Sequence, residues 1–195
     1  LIQQCILQVL EPICEAKFYK HSYGFRPLRS TKHAISRAYH LAQQNNLHYV
    51  VDVDIKGFFD NINHGKLLKQ LWTVGIRDKS LIAVISKMLK AQIENIGIPE
   101  KGTPQGGILS PLLANIVLNE FDWWIASQFE EIKTKVNYKP SIRNGKEYND
   151  NKIRALKNKT KLKEVFIVRY ADDFKLFCRN HQDAMKLFEA SKQWL

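Results

Sequence analysis

The sequence holds few of the residues that mark a stapled, secreted or membrane-spanning chain. Only three of its 195 residues are cysteine. Cys5, Cys14 and Cys178 are odd in number and form no Cys-x-x-Cys pair, so neither a disulfide framework nor a zinc knuckle is indicated, and reduced, buried thiols are expected. Nine glycines and six prolines are too few for a fibre. No apolar run approaches the ~20 residues of a membrane span, and residues 1–10 lack the basic region and apolar stretch of a secretion signal. These absences describe a soluble, intracellular, cytoplasmic chain with no membrane partner. No internal repeat is visible. Acids are also scarce, 19 Asp and Glu against 30 Lys and Arg, for a net charge of +11. What is present is the material of a core. Hydrophobic residues make up 45% and aromatics 11%, too apolar for disorder. A chain of this length buries roughly 70% of its unfolded surface without a staple, as one domain or two small subdomains. A first residue other than Met, and an amphipathic pattern still running at Trp194 and Leu195, suggest a fragment.

The charge is unevenly placed. Residues 131–163 carry eleven bases against three acids, a net of +8 that leaves +3 for the rest. The Asn, Lys and Gly content and weak apolar periodicity of this insertion predict a loop or partly ordered arm. Such arms meet nucleic-acid phosphates, although a solvated loop without a partner has the same composition.

Apolar spacing predicts helices over 1–18, 31–44 with Ser30 as cap, 65–72, and 79–92 with Asp78 as cap. Ser110 and Pro111 are expected to cap and open a long helix to about residue 128. A last helix follows Asn180, with Met185, Leu187, Phe188 and Trp194 turned inward. Residues 47–55 alternate as a strand, with Val51, Val53 and Ile55 on one face and Asp52 and Asp54 on the other. Residues 165–170 and 174–178 are short strands around Ala171-Asp172-Asp173, which reads as a hairpin.

Asp54 near a strand end, Asp172 and Asp173 at a hairpin tip, and a glycine-rich loop at 102–107 ahead of a helix share one chemical explanation. Hard divalent cations take a few carboxylate oxygens and leave positions for water and phosphates. Two such ions about 4 Å apart serve phosphoryl transfer, which requires acids from neighbouring strands to converge. An Asp-Asp pair alone is more often a turn or a cap. Here it stands between apolar half-strands, where ionised acids are costly unless a positive charge is bound.

These residues also carry a family likeness. Tyr170-Ala171-Asp172-Asp173 resembles the YxDD signature of reverse transcriptases, and Val51-Asp52-Val53-Asp54-Ile55-Lys56-Gly57-Phe58-Phe59-Asp60 resembles their first catalytic motif. Gly102-Thr103-Pro104-Gln105-Gly106-Gly107, continuing through Ile108-Leu109-Ser110-Pro111-Leu112-Leu113-Ala114-Asn115, is similar to the PQG motif of bacterial group II intron-encoded proteins. Ser22-Tyr23-Gly24-Phe25-Arg26-Pro27 is similar to their fingers motif. The motifs occur in the family's order across nearly the whole chain.

The resemblance implies an α/β (α+β) fold of the right-hand polymerase type: an antiparallel palm sheet backed by helices over 47–195, with part of the fingers over 1–46. The 131–163 insertion lies inside the palm, and the fingers tip, thumb and maturase regions lie outside the chain. It implies an RNA-directed DNA polymerase that supports intron splicing and mobility, acting on dNTPs with an RNA template and a DNA primer and bound to intron RNA. Asp54, the carbonyl of Ile55, Asp172 and Asp173 would hold two Mg²⁺, with Mn²⁺ as a substitute. Asp52 lies outside the matching position and reads as structural. Phe59 would lie under the incoming sugar and exclude a ribose 2′-hydroxyl, with core packing as its other reading. Gln105 and Gly106 would bring backbone close to the nascent base pair. Arg26 and Arg29 would grip phosphate; by the charge of the insertion rather than by the resemblance, Lys157, Lys159, Lys161 and Lys163 are expected to bind RNA. Without a thumb, the 195-residue piece is expected to polymerise weakly or not at all. Two other readings keep these motifs: a maturase module with little polymerase use, or a reverse transcriptase of a retron, diversity-generating element or phage-defence system.

Overall fold

The computed structural model describes residues 1–92, 97–104 and 106–195. The order of elements is α1 (Ile2–Glu15), α2 (Thr31–Tyr39), β1 (Tyr49–Val53), α3 (Phe58–Asn61), α4 (His64–Val74), α5 (Lys79–Leu89) and α6 (Ser110–Gln128), followed by β2 (Ser141–Arg143), β3 (Lys146–Tyr148), α7 (Asp150–Lys159), β4 (Val165–Tyr170), β5 (Asp173–Cys178) and α8 (His181–Trp194). The class is mixed helix and antiparallel sheet, as expected. Strands β1, β5 and β4 form the main sheet in that order, antiparallel throughout. β4 is buried along both faces except at Tyr170, which explains its continuous apolar run.

Two cores flank α6. One joins the sheet to α2, α8 and the C-terminal half of α6 through Leu41, Val51, Phe121, Phe166, Phe174 and Leu176. The other joins α1, α4 and α5 to the N-terminal half through Leu10, Leu67, Leu71, Ile85 and Leu113. Because α6 is buried on nearly all sides, its sequence is apolar around the helix rather than along a stripe. Residues 1–46 contribute to both cores, Leu10 to one and Tyr19 and Leu41 to the other.

Several expectations need correction. The 131–163 insertion is not a plain loop: β2 and β3 form a hairpin and α7 follows it. The periodicity was weak because α7 is a mostly solvated helix of lysines and asparagines that buries only Leu156. Ser110 is inside α6 rather than its cap; its hydroxyl donates to the Pro104 carbonyl at 2.8 Å and closes the glycine-rich loop instead. Ser30 stands at the N-cap of α2, but its hydroxyl meets His33 Nδ1 at 3.3 Å rather than capping the helix backbone. The α2 stretch ends in a π turn over His40–Gln44, and Asn46 then takes a left-handed φ of 55°. In α8, Met185 and Phe188 are exposed, because the sheet takes the Ala184, Leu187, Ser191 and Trp194 side. Cys5 is exposed, whereas Cys14 and Cys178 are buried and burial pushes both thiols up to about 12.

One buried polar cluster fastens this frame. Arg169, in the middle of apolar β4, is 1% exposed, and Asp122 of α6 is fully buried. The Arg169 Nε donates to Asp122 Oδ1 at 2.8 Å and its Nη2 to Oδ2 at 2.7 Å, while Nη1 donates to Asn115 Oδ1 at 2.9 Å. A second latch lies at Glu130. Burial opposes its ionisation, yet the hydrogen bond and charge of His21, with Lys20 and Arg37, hold its carboxyl well below the usual carboxylate range. Asp122→Ala is expected to cost about 3–5 kcal/mol in urea unfolding, because Arg169 would stay buried without a counter-charge. Asp122→Leu combined with Arg169→Met should recover most of that loss. A double variant no more stable than Asp122→Ala would contradict the pairing account.

Candidate active site

β4 and β5 are joined by a two-residue turn, Ala171-Asp172, between the paired Tyr170 and Asp173. Ala171 has a φ of 58°, a left-handed conformation that costs an L-residue roughly 1–2 kcal/mol. Its surroundings hold it there. Arg169 Nη1 donates to the Ala171 carbonyl at 2.6 Å. Gly24 lies so close that a Cβ would stand 2.2 Å from the Ala171 amide nitrogen. Asn115 Nδ2 donates to the Gly24 carbonyl at 2.9 Å, and the Tyr23 amide donates to the Arg169 carbonyl at 2.9 Å. The segment around Gly24 therefore lies as a bridge along the free edge of β4 and clamps the turn.

The turn delivers the acids. The β1–β5 pairing ends at Val53 and Phe174, so Asp54 and Asp173 are the next residue on each strand beyond the last pair. Asp54 and Asp173 are exposed and Asp172 is half-buried. Asp172 lines a cleft of about 560 Å³ together with Gly57, Phe59, Gly106 and Ser110. The glycine-rich loop is fixed to the segment after β1: the Gly102 amide donates to the Ile62 carbonyl and the Thr103 amide to the Phe59 carbonyl, both at 2.8 Å. His64 Nε2 meets the Gly102 carbonyl at 2.6 Å. Gly102 has a φ of 91°, and a Cβ there would stand 2.9 Å from the Asp60 carbonyl oxygen, so this close approach requires glycine.

Electrostatically, the ammonium of Lys175 bridges the acids. It lies 2.6 Å from Asp52 Oδ1 and 3.4 Å from Asp173 Oδ1, and Asp52 pairs directly across β1 and β5 from Lys175. The hydrogen bond to Asp52 raises the Lys175 pKa. Asp52 is thus a partner of Lys175, in keeping with a structural reading.

The donor set suits a hard cation. Carboxylate oxygens are the donors such an ion takes, Asp54 and Asp173 are exposed to solvent, and a positive group already stands against Asp173. They are not a finished cage: among the described residues no three His, Cys, Asp or Glu side chains stand together closely enough to hold a metal ion. The Ile55 carbonyl accepts from the Phe58 amide at 3.2 Å and keeps one lone pair.

The other expected site residues separate clearly. Phe59 is half-buried at the cleft while Phe58 is buried. Gly106 has a φ of 72° with open space around it, so its backbone conformation is what asks for glycine. Gln105 lies outside the described residues. Arg26 is a correction: its side chain is 2% exposed. It binds Glu15 through Nε and Nη2 at 2.7 and 2.8 Å, and its Nη1 donates to the Tyr19 and Ser22 carbonyls. A guanidinium so occupied has no face left for phosphate. Arg29 is half-buried, donates to the Lys20 carbonyl and stacks over Tyr23. Of the four arm lysines, Lys157 pairs with Glu164 at 2.6 Å and Lys163 approaches Asp183 at 3.6 Å. Lys159 and Lys161 are exposed and make no ion pair among the described residues.

The family model described as "Reverse transcriptase (RNA-dependent DNA polymerase)" matches residues 1–195. The chain belongs to the reverse transcriptase family. Relatives of this reverse transcriptase domain include protein YkfC of Escherichia coli, 33% identical over 92% of this chain and 48% of that protein. Another is the group II intron-encoded protein LtrA of Lactococcus lactis, 38% identical over 83% of this chain and 26% of that protein. The chain thus spans about half or less of the length of these relatives. A structure of telomerase from Candida albicans in complex with a fragment of telomeric RNA is 11% identical, with a TM-score of 0.57 over 95% of this chain and 31% of that one; this likeness concerns the fold. Among the described residues no helix is long and apolar enough to cross a membrane.

Sequence reasoning had no role for Arg169, Asp122, Asn115, Gly24 or His64. For Arg169 a signal existed: a lone base inside a six-residue strand that is otherwise apolar or aromatic needs a buried counter-charge, although α6 offers two acids, Glu120 and Asp122, and the sequence does not say which one turns inward. Asn115 and Gly24 sat within recognised motifs, but their contact spans 91 residues and no local pattern reports it.

Proposed function

We propose that this reverse transcriptase domain performs RNA-directed DNA synthesis within a group II intron-encoded protein, with residues 1–46 as part of the fingers and 47–195 as the palm. The observation that supports this most is the clamped β4–β5 turn, which holds Asp172 on the cleft wall and Asp173 next to the last β1–β5 pair. Asp54, Asp172, Asp173 and the Ile55 carbonyl would hold two Mg²⁺, with Mn²⁺ as a substitute. Bound there, such ions would neutralise triphosphate charge and favour ionisation of a primer 3′-hydroxyl.

The chain's own residues orient the reactants. The rigid turn fixes Asp172 on the cleft wall. Phe59 sits beneath the position of an incoming sugar, where its ring would meet a ribose 2′-hydroxyl. Gly106 lines the same cleft, and Gln105 and Gly106 would bring backbone close to the nascent base pair. Of Arg26 and Arg29, Arg29 remains for phosphate contact. Intron RNA, an RNA template with its DNA primer, and dNTPs are the partners of this reading, in an intracellular bacterial setting. Lys159 and Lys161, exposed and without ion pairs among the described residues, favour a second reading of the same chain, a maturase surface that binds intron RNA independently of polymerisation.

Replacing Asp172 and Asp173 with Asn in the full-length protein is expected to lower metal-dependent dNTP incorporation by about a thousandfold or more, with RNA affinity unchanged. Incorporation at the unsubstituted rate would refute the assignment. In filter-binding titrations against salt, Lys159→Gln with Lys161→Gln should reduce the slope of log affinity by about 0.7–0.9 for each phosphate these lysines neutralise. Lys157→Gln with Lys163→Gln should reduce it less, because Glu164 and Asp183 already neutralise those lysines. Equal, unchanged slopes would mean that the arm does not touch RNA.

A further inference from the structure

Phe25 is the residue of the 22–27 segment that the site leaves unexplained. Its neighbours are committed to the frame: Tyr23 and Gly24 to β4 and its turn, and Arg26 to Glu15 and the Tyr19 and Ser22 carbonyls. Phe25 points out instead, 52% exposed. Its φ is 55°, a left-handed conformation that is a genuine outlier for a bulky residue and persists only when the surroundings enforce it. Exposure of an apolar residue is ordinary by itself, and Leu28 is also exposed with a left-handed φ of 58°; what distinguishes Phe25 is the ring it touches.

Its ring meets that of Phe59. The centroids lie 6.3 Å apart at an interplanar angle of 78°, an edge-to-face pair. Phe59 meets Phe58 in the same manner at 5.7 Å and 71°. Phe58 is buried and lines the cleft beside Phe59. Phe59 is thus held between two rings, one anchored in the core and one presented by the clamped segment. Because Gly24 rests on the Ala171 amide, the position of Phe25 is set by the same turn that sets Asp172.

We infer that Phe25 is a specificity-determining positioning residue: it buttresses Phe59 from the solvent side and fixes how closely that ring approaches the 2′ position of an incoming nucleotide. The inference rests on the reading of Phe59 as the sugar-excluding residue and adds a second residue to it. A ring free to tilt away would open room for a hydroxyl while leaving the acids undisturbed. Loss of Phe25 should therefore relax sugar discrimination with little effect on dNTP turnover.

The test is single-nucleotide incorporation by the full-length protein, with kcat/KM measured for a dNTP and for the matching rNTP. Phe25→Gly removes the ring while accommodating the left-handed backbone, so folding is not the variable; Phe25→Tyr keeps the ring. Phe25→Gly is expected to lower the dNTP-to-rNTP ratio by about 2- to 10-fold, the range of an aromatic pair, mainly through more efficient rNTP use. Phe25→Tyr should retain the ratio. Phe59→Ala should lower it further, and Phe25→Gly added to Phe59→Ala should do nothing more. If Phe59→Ala lowers the ratio and Phe25→Gly leaves it unchanged, or weakens dNTP and rNTP use in equal proportion, the buttress is overturned while the Phe59 reading stands. If Phe59→Ala itself leaves the ratio unchanged, both fall.

Discussion

The guanidinium of Arg169 is the constraint on which the rest of the site depends. It is buried in the sheet and meets, through one planar fork, a carboxylate and an amide of α6 and the carbonyl of the turn two residues away. A buried ion pair is weak evidence for stability, since an apolar pair of the same volume often serves as well. Its value here is directional. The fork has fixed geometry, so the helix that closes the glycine-rich loop and the turn that carries the acids are held in one orientation. The main chain of the same residue also carries the 21–24 segment along the edge of β4. Three stretches far apart in sequence thus converge on one residue.

Above that anchor the site divides its labour between rigidity and charge. The turn and the loop around Gly102 are fixed by backbone contacts at which a Cβ would collide, and the strand ends by their pairing. The acids themselves stand toward solvent with Lys175 among them, an arrangement open to exchange of one cation for another. The positive excess of the chain lies elsewhere, on α7 and the residues beside it. Separating basic surface from acidic centre lets a polyanion be drawn in without neutralising the carboxylates. Ion pairing beside the arm reduces that surface: Glu164, just after it, takes Lys157 of α7 as well as Arg179.

The strands, the hairpin and the long central helix were legible in the sequence because each has a period or a run that only one environment explains. The acids were legible because Asp172 and Asp173 interrupt apolar strands. Arg26 was misjudged because a motif gives a residue's place along the chain and not the direction of its side chain; Glu15, eleven residues earlier, turned it inward. α7 was hidden because helices stabilised by solvated lysines lack an apolar stripe. Met185 and Phe188 read inward on hydrophobicity alone, whereas the sheet accepts the small Ala184 and Ser191 side of α8. The buttress of Phe59 by Phe25 was invisible for a further reason: it depends on a left-handed backbone at a residue type that rarely adopts one.

The central claim is that the clamped turn and the end of β1 form a divalent-cation centre. Anomalous diffraction from crystals soaked in Mn²⁺, recorded at the manganese edge, tests it without reference to turnover. The account predicts a peak among Asp54, Asp172 and Asp173, with Lys175 displaced toward Asp52 and the Arg169 contact to the Ala171 carbonyl intact. Saturating Mn²⁺ that leaves no peak among these three carboxylates would contradict it.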